Sequence, residues 1–394
     1  MRRSWLLSLP LLLAASVALL PKLAKASNPN WPPSPSLSRQ DLANPATWPD
    51  DGEDWNYWGF TPDVVQANPK VPQYEKDVGI GMSVDRAWQK TIGDPRVVIA
   101  VIDSGFKWDN RDLANKWMLN QGELPKPNRT DCVNPNSYDC NGDGVFNIQD
   151  YTTATGHELP TIDKVADTVL LARANKGDAN KNGYLDPQDL IAAFSDGKDD
   201  DHNGFVDDIC GWDFLWDDND ADDDIGNGGQ GYSHGNQEVR DVAAEANNGF
   251  GSPGVCPGCM VLPIRGGDSF VTSGLNQGLA ILYASSRGAK VLSVAQIALT
   301  NPPELQAAVD VAYKRGALLV ASSADETSMH QMFPGNPEHT LLVNALIYDG
   351  SDWNDPNNTS FLNFNNCTNY GGHMHLTASA KSCASEATAR IGGE

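Results

Sequence analysis

Six consecutive apolar residues, 97–102, run straight into an aspartate, Asp103. A strand with one wet face alternates apolar and polar side chains, whereas an unbroken run reads as a strand covered on both faces. Residues 260–264, 291–295, 317–321 and 340–345 repeat the theme. Between them lie two helical stretches. Residues 274–287 carry Leu275, Leu279 and Leu282 at helical spacing and stop at Gly288. Pro303 opens another, with Leu305, Ala308, Val309 and Ala312 on one face and Gly316 as its end. Alternating strands and helices predict an α/β fold, a doubly wound and mostly parallel sheet with helices on both sides. In such sheets chemistry gathers at the carboxyl ends of the strands, which is where Asp103 stands.

The 394 residues suffice for one large domain with additions. Arg2 and Arg3, an apolar stretch over residues 6–20 and Ala24-Lys25-Ala26 have the order of a secretory signal peptide, residues 1–26, cut after Ala26. Residues 27–79, rich in Pro, Asn and Trp, read as an extended lead-in. The folded domain is expected over residues 80–394, with an acidic insertion at about 120–225. No later stretch is long and apolar enough to span a bilayer, so the processed protein is expected to be secreted, periplasmic or on the cell surface, and not in the membrane. Seven cysteines fit an oxidising compartment. Cys132 and Cys140 bracket a short loop and can pair, and Cys256 and Cys259 form a local disulfide or staple. Cys367 and Cys383 lie near the end, and one thiol is left over.

A net charge of −23 argues against nucleic acid, whose phosphates need a basic surface. Thirteen aspartates fall within residues 196–224, against one Lys and no Arg. Interleaved Phe205, Ile209, Trp212 and Phe214 call for burial, and a folded segment with that much carboxylate needs cations. The spacing says which. Asp139, Asn141, Asp143, Gly144, Asn147 and Asp150 match positions 1, 3, 5, 6, 9 and 12 of a twelve-residue calcium loop, with Asp where Glu is usual at the last. Asp178, Asn180, Asn182, Gly183, Asp186 and Asp189 repeat it. Asp199, Asp201, Asn203, Gly204 and Asp207 repeat its first two-thirds. Alternating oxygens wrap a Ca²⁺ ion while the glycine permits the sharp turn. The three segments resemble the short calcium loops of dockerin-type modules, which implies structural Ca²⁺.

Asp103-Ser104-Gly105, followed by Asp109-Asn110-Arg111-Asp112-Leu113, resembles the aspartate motif of the subtilisin-like serine peptidases (subtilases). The resemblance implies a Ser nucleophile, a His base and an orienting Asp. It maps the His to His234 in Ser233-His234-Gly235-Asn236-Gln237, where relatives have His-Gly-Thr-His. Glu238 and Arg240 then fall where relatives have small or apolar residues. The Ser maps to Ser382 in Ala380-Lys381-Ser382-Cys383-Ala384, where relatives have Gly-Thr-Ser-x-Ala-x-Pro, and Asn369-Tyr370-Gly371 upstream supports that register. Ser379 and Ser385 are alternatives. Relatives supply an oxyanion Asn in Ala-Ala-Gly-Asn. Here the chain reads Ala321-Ser322-Ser323-Ala324-Asp325-Glu326, and the Asn position falls on Ala324, or on Asp325 if the register slips. The relatives' substrate-lining Ser-x-Gly is Ala295-Gln296-Ile297. The expected function is a secreted serine endopeptidase acting on protein or peptide substrates through Asp103, His234 and Ser382. The alternative is a catalytically impaired relative kept as a calcium-stabilised binding or structural module.

Overall fold

The computed structural model describes residues 57, 81–88, 90–224, 233–246, 248, 251–347, 368–380 and 383–394. Residues 1–26 and most of the lead-in lie outside them, as do Cys367, Lys381 and Ser382. In chain order the strands are β1 (Val98–Asp103), β2 (Trp212–Asp213), β3 (Met260–Arg265), β4 (Val271–Thr272), β5 (Val291–Val294), β6 (Ile297–Ala298), β7 (Leu318–Ser322), β8 (Thr340–Ile347) and β9 (Leu376–Ala380). The helices used below are α1 (Val84–Trp88), α2 (Thr168–Ala172), α3 (Pro187–Phe194), α4 (His234–Ala243), α5 (Gly274–Ser286), α6 (Pro303–Lys314) and α7 (Ala384–Gly393). Expected elements and observed ones differ only by a residue or two at their ends.

Seven strands form one sheet in the order β2-β3-β1-β5-β7-β8-β9, and every pairing in it is parallel. The run that ends on Asp103 is thus near the sheet centre. Its alternate side chains feed two cores. Ile99 and Val101 pack with Val239 and Val242 of α4 and Ala389 of α7. Ala100 and Ile102 pack with Ile281 of α5 and Leu305 and Val309 of α6. Helices therefore cover both faces, and the apolar run needs no polar alternation because neither face meets water. Each such side chain contributes roughly 1.5–3 kcal/mol by leaving water.

The acidic segment is not a separate body. Ile148, Tyr151, Leu170, Leu185 and Leu190 join the same cluster as Ile99 and Val101, on the α4 side. It contributes β2 to the sheet edge, where buried Asp213 accepts a hydrogen bond from Arg265 Nη1 at 3.0 Å. Cys132 bonds to Cys140 and Cys256 to Cys259, as their spacing suggests. Cys383 is also disulfide-bonded. The free thiol among the described residues is Cys210, buried in that same core. No helix among the described residues is long and apolar enough to cross a membrane.

Candidate active site

Asp103 ends β1, fully buried, and the parallel register sets it beside Arg265. One of its oxygens, Oδ1, accepts from the Ser104 N–H at 2.6 Å and meets His234 Nδ1 at 2.8 Å. His234 is the first residue of α4. Ser233 caps that helix by accepting from the Asn236 N–H. Gly235 lies against the Gly105 carbonyl, and a Cβ there would collide with it. Asn236 ties the helix to the loop after Asp103 twice, accepting from the Lys107 N–H and donating to the Lys107 carbonyl, both at 2.9 Å. Sequence reasoning passed over Asn236, because its partner is 129 residues away. The Asp–His geometry thus rests on a cap, a close glycine contact and a two-point tether.

Carboxyl groups surround the imidazole. Asp103 above all, with Glu238 and Asp325 adding to it, pushes the His234 pKa up to about 10 against the opposing effect of burial. Glu238, at the place where relatives carry a small or apolar residue, is buried, and its Oε1 lies 3.9 Å from His234 Nε2. Desolvation drives its carboxyl well above the usual range, and its Oε2 has no hydrogen-bond partner. The charges on α4 do pack. Buried Arg390 of α7 pairs with Glu386 on its own helix and with Asp241 of α4 at 3.2 Å, and lies over the Tyr57 ring.

His234, Glu238, Asp325 and Phe270 line a cavity of about 360 Å³, with Cys383 and Ser385 from the start of α7 on its wall. Ser382 lies outside the described residues, between the end of β9 and Cys383. Of the alternatives, Ser385 reaches the cavity, while Ser379 sits inside β9, where its carbonyl accepts from Arg390. After β7, Ala324 has a φ of +70°, the left-handed region that favours glycine. Asp325 opens onto the cavity, and its Oδ1 accepts from the Ala384 N–H at 3.1 Å. An adjoining cavity of about 230 Å³ shares Asp325, Phe270 and Ser385 and adds Ala295, Ile297 and Glu326.

The three acidic loops fold alike. Gly144, Gly183 and Gly204 have φ of +91°, +94° and +96°, with open space around each. Each glycine N–H donates to the first aspartate of its loop, Asp139 at 3.0 Å, Asp178 at 3.3 Å and Asp199 at 2.9 Å. In each loop the third position (Asn141, Asn180 or Asp201) accepts from the backbone N–H of the fifth (Asp143, Asn182 or Asn203). At the ninth position Asn147 and Asp186 cap the following helical turns, in capping boxes with Asp150 and Asp189. Burial raises Asp150 to about 6 and Asp189 to about 7. The third loop departs from this plan. Asp207 turns to the N–H groups of Asp196 and Gly197, while Asp201 gathers with Asp208 and Glu123 so that one oxygen of each lies within 4.8 Å of the others. Glu123 Oε2 is buried and has no hydrogen-bond partner, which fits a cation ligand. Arg287 already offers positive charge there, 3.0 Å from Asp201. Glu123 was not legible as a member of this cluster, being 78 residues from Asp201.

Residues 94–386 match the Subtilase family, Peptidase_S8. Thermitase of Thermoactinomyces vulgaris is 31% identical over 160 residues, 40% of this chain and 52% of that protein. The thermophilic serine proteinase of Bacillus sp. (strain AK1) is 31% identical over 140 residues, 35% of this chain and 33% of that one. The chain thus spans between a third and about half of the length of these two relatives. A protease of Pseudoalteromonas arctica aligns in structure with a TM-score of 0.42 and 17% identity, covering 79% of this chain and 80% of that one. The family match spans most of the chain, so this protein belongs to the subtilase family of serine peptidases.

Proposed function

We propose that the protein is an exported serine endopeptidase that hydrolyses peptide bonds through Asp103, His234 and Ser382. The observation that carries this is the 2.8 Å contact between His234 Nδ1 and the buried Asp103 carboxylate, at the edge of a cavity that the start of α7 also lines. Asp103 accepts the Nδ1–H and leaves Nε2 turned to the reaction. Nε2 takes the proton of Ser382 Oγ as that oxygen bonds to the scissile carbonyl carbon and the π electrons move to the carbonyl oxygen. Collapse breaks the C–N bond, and the same proton goes to the leaving amine. Water repeats the cycle on the acyl-enzyme and frees the acid. Signal-directed export by residues 1–26 is supported by the disulfides, which persist in oxidising compartments.

Calcium is part of the reading. Asp139, Asn141, Asp143, Asn147 and Asp150 would hold one ion and Asp178, Asn180, Asn182, Asp186 and Asp189 a second. Asp199, Asp201 and Asn203 would hold a third, joined by Asp208 and Glu123 more readily than by Asp207. The ions supply positive charge to carboxylates that burial has stripped of water.

A second reading, a retired peptidase kept as a calcium-stabilised module, is favoured by one feature. Carboxyl groups crowd His234 and hold its proton on, so the imidazole is a reluctant base. Hydrolysis of an unfolded protein such as casein, with calcium, separates the two. Activity lost in both Ser382→Ala and His234→Ala supports the peptidase. Equal, background-level turnover in wild type and variants leaves the module.

A further inference from the structure

We propose that a calcium ion held by Glu123, Asp201 and Asp208 clamps the acidic segment to α5, with Glu123 supplying the carboxylate that the third acidic loop lacks. The proposal rests on the calcium reading above and goes past it, naming the ligand that decides the third site and the elements that site joins.

The third loop cannot close the shell of an ion by itself. Counted from Asp199, its ninth position is Asp207, which is turned to the N–H groups of Asp196 and Gly197. Its twelfth is Cys210, a buried thiol, where the first two loops carry Asp150 and Asp189. A thiol is a poor partner for a hard cation that takes oxygen ligands. Two carboxylates from outside those positions fill the gap. One oxygen each of Glu123, Asp201 and Asp208 lies within 4.8 Å of the others. Glu123 carries the site. It is only 6% exposed, and its Oε1 accepts from the Asp201 N–H at 3.1 Å. Its Oε2 is buried and has no hydrogen-bond partner among the described residues. A buried carboxylate oxygen without a donor is costly unless a cation meets it.

The surroundings hold the other two carboxylates in place. Asn120 Nδ2 donates to Asp201 at 3.0 Å and to Asp208 at 2.6 Å, and the Tyr283 hydroxyl donates to Asp208 at 2.8 Å. A Cβ on Gly122 would meet the Asp201 side chain at 2.4 Å, so glycine there admits the close approach. Arg287 lies 3.0 Å from Asp201 and 3.7 Å from Asp208. Within the cluster, three carboxylates against one guanidinium leave two negative charges, which one divalent ion balances.

The location gives the ion its task. The first two loops pack Ile148, Leu185 and Leu190 on the α4 side of the sheet. The third packs Phe205 on the other side, against Trp212 of β2 and Tyr283 of α5, with ring centroids 5.0 and 4.7 Å away. The acidic segment therefore wraps around the β2 edge. The cluster fastens its far end to α5 and to the turn at Asn120, where the segment begins.

The test is calcium uptake by the chelated protein, followed by calorimetry, with melting in EDTA and in calcium, for wild type, Glu123→Gln, Asp208→Asn and Asp207→Asn. Glu123→Gln and Asp208→Asn should each weaken one site by at least the roughly 10- to 100-fold that losing even an outer-shell partner costs, and leave the other ions bound. Asp207→Asn, which keeps an acceptor oxygen, should bind as wild type does. Melting should cross over. In EDTA, Glu123→Gln should melt at or above wild type, because it removes a buried charge that no cation meets, and in calcium it should melt below. Wild-type uptake that is unchanged in Glu123→Gln and Asp208→Asn overturns the clamp alone. So does a Glu123→Gln variant lowered equally in EDTA and in calcium, or an ion lost in Asp207→Asn and kept in Glu123→Gln. No calcium uptake by wild type overturns the clamp and the calcium reading of the loops together.

Discussion

Aspartate fills two regions of this molecule, and the two use it in opposite ways. In the loops between residues 139 and 208 the first aspartate of each accepts from the N–H of its own loop's glycine, in the same pattern three times over. Around His234 the carboxyl groups come from four parts of the fold, Asp103 of β1, Glu238 on the histidine's own helix, Asp325 after β7 and Glu386 of α7, and face one cavity or one imidazole. On the proposed reading the loops arrange acid so that a cation completes each one, and the site gathers acid around one imidazole. Local acid would then serve stability and convergent acid chemistry, and variants can separate the two.

The largest effect should come from the site. Asp103→Asn keeps the shape but removes the charge that orients and stabilises the imidazolium, and should cost on the order of 10⁴ in kcat. The melting temperature should change little by comparison. A loss below tenfold would show that the convergent acid does not serve chemistry. The loops should answer in stability instead. Chelation by EDTA should remove about 4 kcal/mol for each ion held at a thousandfold over its Kd, lowering Tm by on the order of 10 °C or more. Unchanged melting and unchanged protease resistance would break the loop half of the comparison.

Smaller changes sharpen it. Gly183→Ala adds a Cβ in open space but at a φ of +94°, so it strains the backbone without a clash. It should cost about 1–2 kcal/mol in Tm-derived stability and leave kcat unmoved. The smallest effect belongs to Glu238→Gln. A nearby carboxylate raises the His234 pKa, so removing an ionised one would move the acid limb of activity to lower pH. Burial drives the Glu238 carboxyl well above the usual carboxylate range and so opposes its ionisation, which leaves little charge for Gln to remove. The acid limb should stay in place. A clear downward shift would show Glu238 to be ionised beside His234.

The same contrast explains what the sequence made legible. β1 and its terminal Asp103 were readable because burial on both faces leaves an uninterrupted apolar run. The shared turn of the acidic loops was readable because its residues lie within twelve positions of one another. What needed the fold was whatever depended on a distant partner. Asn236 gains its meaning from Lys107, and Glu123 from Asp201 and Asp208. Nor does any residue pattern announce the φ of +70° at Ala324, because alanine rarely adopts it.

The most direct test of the central claim is to treat the calcium-loaded protein with a fluorophosphonate and locate the adduct by peptide mass mapping. The account predicts one adduct, on Ser382, lost in Ser382→Ala and strongly slowed in His234→Ala and Asp103→Asn. A folded, calcium-loaded protein that takes up no reagent, or that is modified elsewhere and keeps its label in Ser382→Ala, would contradict it.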